Sequence, residues 1–490
     1  MKVLVIGSGG REHAICWKLY RQSQEQNREI EIFCAPGNVG ISSFAKCVSA
    51  EDLKECAGAG YFEQLADFAK KNNITFTFVG PEVPLAEGIV DCFENEDLKI
   101  IGPSKEAAKL ESSKIYSKEF MKKYGIPTAE FHKFSDINEA LKFLESWEEN
   151  NKVVVKADGL AAGKGVYMCN GRADAVNAVK EMMANNAMGE AGSSIVIEEF
   201  IDGQELSYLV FTDGIDCVMM PAAQDHKRRD DGDKGLNTGG MGAYCPAPLT
   251  NKKIDGKALK EIVRETIVEK TLDGIKSEKL EHESKGLKYE YKGIIYVGII
   301  MDGNDKPYVL EYNCRFGDPE TQAVLPLLKT NLADICLKIL DGKLKDIKDE
   351  IDWEEDKAAV CVVLASGDYP GKCEKSYKIR GLKEFYEKNN PFNSDTDTFI
   401  FHSGTTSLKW DEDNKKIRSF EIPNSFMRGI EESTPLCYFT SGGRVLAVTS
   451  VAKDIQSARD KVYSLVGKGK MIEFEGMHYR EDIAKKAVNN

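Results

Sequence analysis

Short apolar runs alternate with amphipathic stretches along this chain, and glycine or proline marks most of the joins. Val3–Ile6 is apolar throughout and is followed by a glycine turn and by helical spacing over Glu12–Tyr20. Ile30–Cys34 forms a second run, closed by Ala35-Pro36-Gly37, and Ile74–Val79 and Leu98–Ile101 repeat the pattern before Gly80-Pro81 and Gly102-Pro103. This is the texture of parallel α/β structure. Ser104 is the predicted N-cap of a long helix reaching Lys123, with Gly125 and Pro127 stopping it. Together these elements predict a first domain over residues 1–112.

Beyond it the texture changes. Between about 125 and 200, the runs Val153–Val155 and Val166–Met168 flank a glycine-rich stretch, a helix is expected over Ala173–Ala187, and Ile195–Glu199 reads as another strand. That predicts a small lobe inside a larger central region, 113–340, with further strands near Leu206–Phe211, Ile294–Met301 and Tyr308–Tyr312. A third unit, 341–490, takes up strands at Ala358–Leu364, Thr398–His402 and Arg444–Val448. The lysine- and glutamate-rich stretches 275–290 and 345–357 are expected to be solvated connections. The chain carries no internal repeat.

Composition narrows the class. A length of 490 residues with 42% hydrophobic content suits about three compact units. The net charge of −13 and pI near 5.3 argue against a duplex nucleic-acid partner, whose phosphates demand a basic face, but not against local phosphate-binding loops. The thirteen cysteines form no C-x-x-C pair, and the six histidines form no H-x-x-x-H or H-E-x-x-H pattern, which argues against disulfide frameworks and zinc. Reduced thiols and a cytoplasmic location are expected. The start of the chain enters a strand almost at once, and the longest apolar run, near Ile294–Met301, falls short of a membrane span.

Two glycine loops sit where phosphates are held. Gly7-Ser8-Gly9-Gly10-Arg11-Glu12-His13 joins a strand to a helix, the place where backbone N–H groups and the helix dipole favour an anion. A dinucleotide fingerprint would place Gly or Ala at Glu12 and an acid after the second strand, where Cys34-Ala35-Pro36 stands, so a monophosphate ligand fits better than NAD, with a structural turn as the plain alternative. Lys156-Ala157-Asp158-Gly159-Leu160-Ala161-Ala162-Gly163-Lys164-Gly165-Val166 is not a P-loop, because the glycine spacing is short, no Ser or Thr follows Lys164, and a strand follows in place of a helix. A glycine and alanine loop with a lysine at each end suits a flap over a triphosphate.

Downstream, Glu198-Glu199-Phe200-Ile201 passes from strand to turn and offers backbone groups to an adenine edge, with Glu205 placed to bind ribose hydroxyls. In Glu311-Tyr312-Asn313-Cys314-Arg315-Phe316-Gly317-Asp318, alternation puts Glu311, Asn313 and Arg315 on one face. Two oxygen ligands for magnesium then lie beside a guanidinium able to stabilise a transferring phosphoryl group.

Lys156–Val166, Gln224-Asp225-His226-Lys227-Arg228, Asn237-Thr238-Gly239-Gly240-Met241-Gly242-Ala243-Tyr244 and Glu311–Gln322 resemble, in order, the signature segments of the glycinamide ribonucleotide synthetases (phosphoribosylamine–glycine ligases). The resemblance extends from Gly7–His13 through Gly80-Pro81-Glu82 to Gly442-Gly443-Arg444-Val445-Leu446 and so covers nearly the whole chain. It implies an α/β fold with an N-terminal parallel domain, a two-lobe ATP-grasp clamp and a C-terminal α+β domain closing the site. It also implies ligation of glycine to 5-phosphoribosylamine through a glycyl phosphate, with ATP and Mg²⁺, and with Mn²⁺ as a substitute.

On that resemblance Lys114 and Lys156 contact the nucleotide with Lys164 on the flap, flanked by Gly163 and Gly165; Glu198, Glu199, Phe200 and Ile201 border adenine and Glu205 the ribose. Glu311 and Asn313 hold magnesium beside Arg315. Gly9, Gly10 and Arg11 are candidates for the 5-phosphate and Glu82 for ribose hydroxyls; Asp225, His226 and Lys227 fall on the substrate side, with Asp225 facing the glycine ammonium. His226 has a hydrogen-bonding role in the fold as its equal alternative. Met301 stands where many ATP-grasp enzymes carry a further metal carboxylate, which leaves the rest of the shell to phosphate and water. The expected associations are small molecules, a transient contact with the enzyme that makes phosphoribosylamine, and a monomer or weak homodimer, with neither nucleic acid nor membrane.

Overall fold

The computed structural model describes residues 1–161, 165–184, 192–411, 416–419 and 436–488. Strands Lys2–Gly7, Glu31–Pro36, Phe76–Val79 and Ile100–Pro103 pair in parallel, as their two-sided apolar runs predict. Val3, Leu4 and Val5 are fully buried between helices. The sheet does not end with this unit. Strand Tyr291–Asp302 pairs antiparallel with Ile100–Pro103, through Tyr291 opposite Pro103 and Lys292 opposite Gly102, and along its length with Gly203–Thr212 and Pro307–Asn313. A nine-stranded sheet therefore runs from the N-terminal layer into the central region.

Ser104 seals that seam and does not cap a helix. Its hydroxyl accepts from the Glu290 N–H at 3.0 Å, and its own N–H donates to the Glu290 carbonyl at 2.9 Å. The single long helix expected from Ser104 to Lys123 is two helices, Lys109–Ser112 and Lys114–Lys123, because Ser113 is extended and its hydroxyl accepts from the Tyr116 N–H. Two serines with N-cap chemistry lay close together, and tertiary pairing took the first.

The small lobe is an antiparallel sheet ordered Phe131–Phe134, Ile195–Glu199, Val153–Ala157, Val166–Cys169. It has its own core, including Leu144, Val153, Val155, Ile195 and Ile197. Helix Arg172–Val179 continues as a wider π turn over Lys180–Ala184, and the remainder of the expected helix to Ala187 falls outside the described residues.

The stretch 275–290 is largely helical and not a loose connection: it includes most of helix Glu269–Ser284. Leu272 and Ile275 are buried, and Glu278, also buried, accepts from Lys123 at 2.7 Å and from the Tyr124 hydroxyl at 2.9 Å. A narrow apolar stripe among many charges hid the helix. The stretch 345–357 holds short 3₁₀ turns, Leu344–Asp346 and Lys348–Glu350, and otherwise irregular chain.

Strand Ala358–Ser366, buried throughout, pairs with Arg444–Ala452 and also with Gly242–Cys245, which in turn pairs with Gln224–Asp225. Two of the signature segments of the central region thus hydrogen-bond into the sheet of the third unit. Arg480, fully buried, ties the last segment to the hairpin of strands Arg228–Asp230 and Lys234–Asn237 through Asp233 at 2.9 Å and the Arg228 carbonyl at 3.1 Å.

Phe316 sits where the layers meet, fully buried, stacked on Phe78 at 5.8 Å and edge-on to Phe211 at 6.2 Å. Phe316→Ala is expected to cost about 3–5 kcal/mol of stability by opening a cavity between the two halves of the sheet. The shift of the urea unfolding midpoint at constant slope measures it.

Candidate active site

A cleft of about 1220 Å³ lies between the small lobe, the large sheet and the third unit. Helix Lys114–Lys123 begins at its wall, and Asp158, just before the glycine loop, accepts from the Ser113 hydroxyl at 2.9 Å and the Ile115 N–H at 3.0 Å. The base of the loop is thereby tied to the helix carrying Lys114. Lys114, Lys156, Gly165 and Glu198 line this end of the cleft, as do Glu199, Phe200 and Ile201. Gly163 and Lys164 lie outside the described residues.

A buried ion triad forms behind this wall. Glu198 accepts from Lys118 at 2.8 Å and from Lys156 at 2.9 Å through the same oxygen, while its other oxygen is buried with no hydrogen-bond partner among the described residues. Burial works to raise the Glu198 pKa, but the two ammonium groups outweigh it and the carboxyl is held low. Burial pushes Lys118 down to about 8 against the pull of Glu198. Lys156 also donates to the Leu310 carbonyl at 3.2 Å. Leu310 is the unpaired residue of a bulge, since Glu311 stands opposite Gly298 and Val309 opposite Ile299.

The same bulged strand presents the chemistry. Glu311 and Asn313, with Arg315 just past the strand end, open into the cleft as alternation predicts. Lys227 lies 3.4 Å from Glu311 and 3.4 Å from Glu205. Desolvation opposes ionisation of Glu311, yet Lys227, followed by Lys114, Lys156 and Arg315, brings its carboxyl down to about 2. The Arg315 guanidinium is fixed by Glu111 at 3.0 Å, by Glu82 at 3.3 Å and by the Asn313 side-chain oxygen at 3.1 Å. Asp225, half-buried on strand Gln224–Asp225, is pushed up to about 8, first by desolvation and then by Glu320, Glu205 and Glu311, with Lys227 opposing.

At the N-terminal edge Arg11 and Glu82 line the cleft; a Cβ on Gly9 would lie 3.5 Å from Asp318 of the same wall, while Gly10 is buried against Gln322 and Ser403. The Gly9 N–H donates to the Glu12 carboxylate at 2.6 Å, and Glu12 also pairs with Arg11 at 2.6 Å. His226 is buried off the cleft wall; its backbone exchanges hydrogen bonds with Gly242 and Met241, and its Nδ1 has no partner. Burial, then Arg480, depresses its pKa to about 4, so the ring is neutral. Gly240, at φ +115°, could not bear a side chain, since a Cβ would lie 2.4 Å from Pro319.

Sequence reading missed five residues of the wall. Lys118 and Glu111 are polar positions on short helices, with no pattern to mark them. Asp318 and Arg444 lay inside motifs that were noticed, but their pairing at 3.1 Å joins segments far apart in the chain. Tyr369, whose hydroxyl accepts from the Gly239 N–H at 2.9 Å, comes from the third unit and carried no signal.

A small antiparallel lobe facing a larger sheet across a cleft, with buried lysines on one side and a Glu–Asn–Arg strand on the other, defines the ATP-grasp class. Residues 1–111, 112–321 and 359–486 match the N domain, the ATP-grasp (A) domain and the C domain of phosphoribosylglycinamide synthetase. The chain belongs to the phosphoribosylglycinamide synthetase family. It is 42% identical to the phosphoribosylamine–glycine ligase of Caldanaerobacter subterraneus subsp. tengcongensis over 99% of each chain. The crystal structure of phosphoribosylamine–glycine ligase from Thermotoga maritima superposes with a TM-score of 0.69 at 29% identity, covering 99% of this chain and 100% of that one. A biotin carboxylase domain of Hydrogenobacter thermophilus 2-oxoglutarate carboxylase shares the fold at 17% identity and a TM-score of 0.61, over 98% of this chain and 91% of its own.

Because the folded Asp225 pKa lies above the ordinary carboxyl value, the folded state holds a proton there that the unfolded chain has lost. Its contribution to stability therefore declines as pH rises from about 4 through about 8. Asp225→Asn should remove that slope and make the variant relatively more stable at the alkaline end, as thermal melts across this range will read.

Proposed function

We propose that the chain is an ATP-dependent carbon–nitrogen ligase of purine biosynthesis, joining glycine to 5-phosphoribosylamine through a glycyl phosphate and yielding glycinamide ribonucleotide, ADP and phosphate. The observation that carries this is the convergence of Glu311, Asn313, Arg315, Lys227 and Asp225 in one cleft of a family member matched along nearly its whole length. A carboxylate resists attack by an amine because its oxygen is a poor leaving group. Phosphorylation converts that oxygen into a good one, and the enzyme chiefly supplies alignment and charge stabilisation.

In the proposed assignment Lys114, Lys156, Gly163, Lys164 and Gly165 hold the polyphosphate, Glu198 to Ile201 border the base, and Glu205 meets the ribose. Arg315, locked by Glu111 and Glu82, faces the oxygens of the phosphoryl group in transfer. Asp225 takes the glycine ammonium, whose charge would draw its carboxyl back to the ionised form. Lys227 stands between them as the counter-charge, and Gly9, Gly10, Arg11 and Glu82 form the N-terminal side of the phosphoribosyl site. His226 is assigned to shaping the substrate strand.

Magnesium fits the donor set. Glu311 is held ionised and Asn313 offers an amide oxygen, the hard ligands the ion prefers. Among the described residues no cluster of three or more His, Cys, Asp or Glu could form a metal cage, so phosphate and water would complete the shell. The bound ion would neutralise polyphosphate charge. Manganese serves as a substitute in this reading. The units 1–112, 113–340 with its small lobe, and 341–490, a monomeric or weakly dimeric state, a cytoplasmic location and a transient contact with the enzyme making phosphoribosylamine complete the proposal. Among the described residues no helix is long and apolar enough to cross a membrane.

Glycine labelled with ¹⁸O in its carboxylate should pass one label into the released phosphate, with ADP formed only when magnesium, glycine and phosphoribosylamine are all present. AMP with the label in it would refute the acyl phosphate. Arg11→Ala should raise the KM for phosphoribosylamine well above any change for ATP; an equal rise for both would sink the N-terminal assignment.

A further inference from the structure

The phosphoribosyl ligand of the proposed reaction carries a phosphate monoester of about −1.5 to −2 charge. The N-terminal turn has little charge left to offer it. The Gly9 N–H is taken by Glu12, and Arg11 is balanced by Glu12 at 2.6 Å and by Glu82 at 4.0 Å. Elsewhere on the wall most cations are spent as well: Lys118 and Lys156 on Glu198, Lys227 on Glu205 and Glu311, Arg315 on Glu111 and Glu82, Arg444 on Asp318.

Two cations of the third unit are different. Lys372 and Lys375 line the same cleft and are exposed. Neither makes an ion pair or a hydrogen bond to any described residue, and the nearby Glu374 accepts instead from the Tyr377 hydroxyl. Their loop is anchored to the substrate strands: Arg229 donates to the Gly367 carbonyl at 2.6 Å and to the Tyr369 carbonyl at 2.9 Å, and the Tyr369 hydroxyl accepts from the Gly239 N–H at 2.9 Å. Through Arg444, which donates to the Gly239 and Asp318 carbonyls, the loop is continuous with the wall that reaches Gly9, whose Cβ position is 3.5 Å from Asp318.

We infer that Lys372 and Lys375 are the principal binding groups for the phosphate of the phosphoribosyl substrate, facing the Gly9–Arg11 turn across the cleft. This rests on the proposed reaction and adds the residues that select a phosphorylated over a free sugar. Two ammonium groups match the dianion, and as flexible side chains on an anchored loop they close on it without moving the sheet.

The test is titration of the full-length protein with glycinamide ribonucleotide and with its dephosphorylated riboside, for wild type, Lys372→Met, Lys375→Met and the double variant. Each single change should weaken the ribonucleotide roughly tenfold to a hundredfold, the double change should bring it near the affinity of the riboside, and Lys372→Arg should retain most of the binding. Riboside binding and the KM values for ATP and glycine should stay within about twofold in every variant. Equal losses for ribonucleotide and riboside, a matching rise in the KM for ATP, or an unchanged double variant would each overturn the assignment. If wild type forms no ADP with glycine and phosphoribosylamine, the reaction itself fails. If it does and the lysine variants bind normally, this inference alone fails.

Discussion

The antiparallel seam between Tyr291–Asp302 and Ile100–Pro103 is the constraint on which the cleft depends. Two residue pairs and the reciprocal bonds of Ser104 with Glu290 join a parallel sheet to an antiparallel one. Because Tyr291–Asp302 also pairs with the strands carrying Glu205 and Glu311, the seam places the N-terminal turn and the Glu311–Asn313 strand in one rigid surface. Phe316 fills the space beneath it. With that surface fixed, the small lobe and the third unit need only close from either side.

Charge on this surface is arranged as a series of partly satisfied pairs. Most cations in the centre have an acid beside them, and several charged groups are shared, as Glu198 is by two lysines and Lys227 by two glutamates. In a desolvated cleft an unpaired charge costs several kcal/mol, so the side chains there neutralise one another. On the proposed function, Glu311 would turn from Lys227 to the metal and the lysines would turn to phosphate. Burial raises Asp225 while Lys227 lowers Glu311, so two carboxyls lining one cleft are driven in opposite directions.

Much of this was legible in the sequence, and the reasons differ by element. Two-sided apolar runs announced the parallel strands, and strand alternation put Glu311, Asn313 and Arg315 together because the period of a strand is rigid. Helix Glu269–Ser284 escaped because its buried stripe is two or three residues wide among lysines and glutamates. The Ser104 reading failed because a serine that suits an N-cap suits a strand seam equally well. Lys118, Glu111 and Tyr369 were illegible for a deeper reason: their roles come from partners 80 or more positions away, such as Glu198 for Lys118, Arg315 for Glu111 and Gly239 for Tyr369. The sharing of Gly242–Cys245 with the third unit's sheet was likewise invisible to any local pattern.

The clamp of Arg480 on Asp233 and the Arg228 carbonyl spans about 250 positions of chain. Contacts of such separation form late, after the loop-closure entropy has been met, and during synthesis the hairpin leaves the ribosome long before its clamp exists. Until then the hairpin is held by the bonds of Arg229 and Gly239 to the Gly367–Tyr369 loop and lacks its second tie. The set of that hairpin against the cleft is thus governed in part by a residue about 250 positions further along the chain, so the docking of a distant segment bears on the shape of the wall.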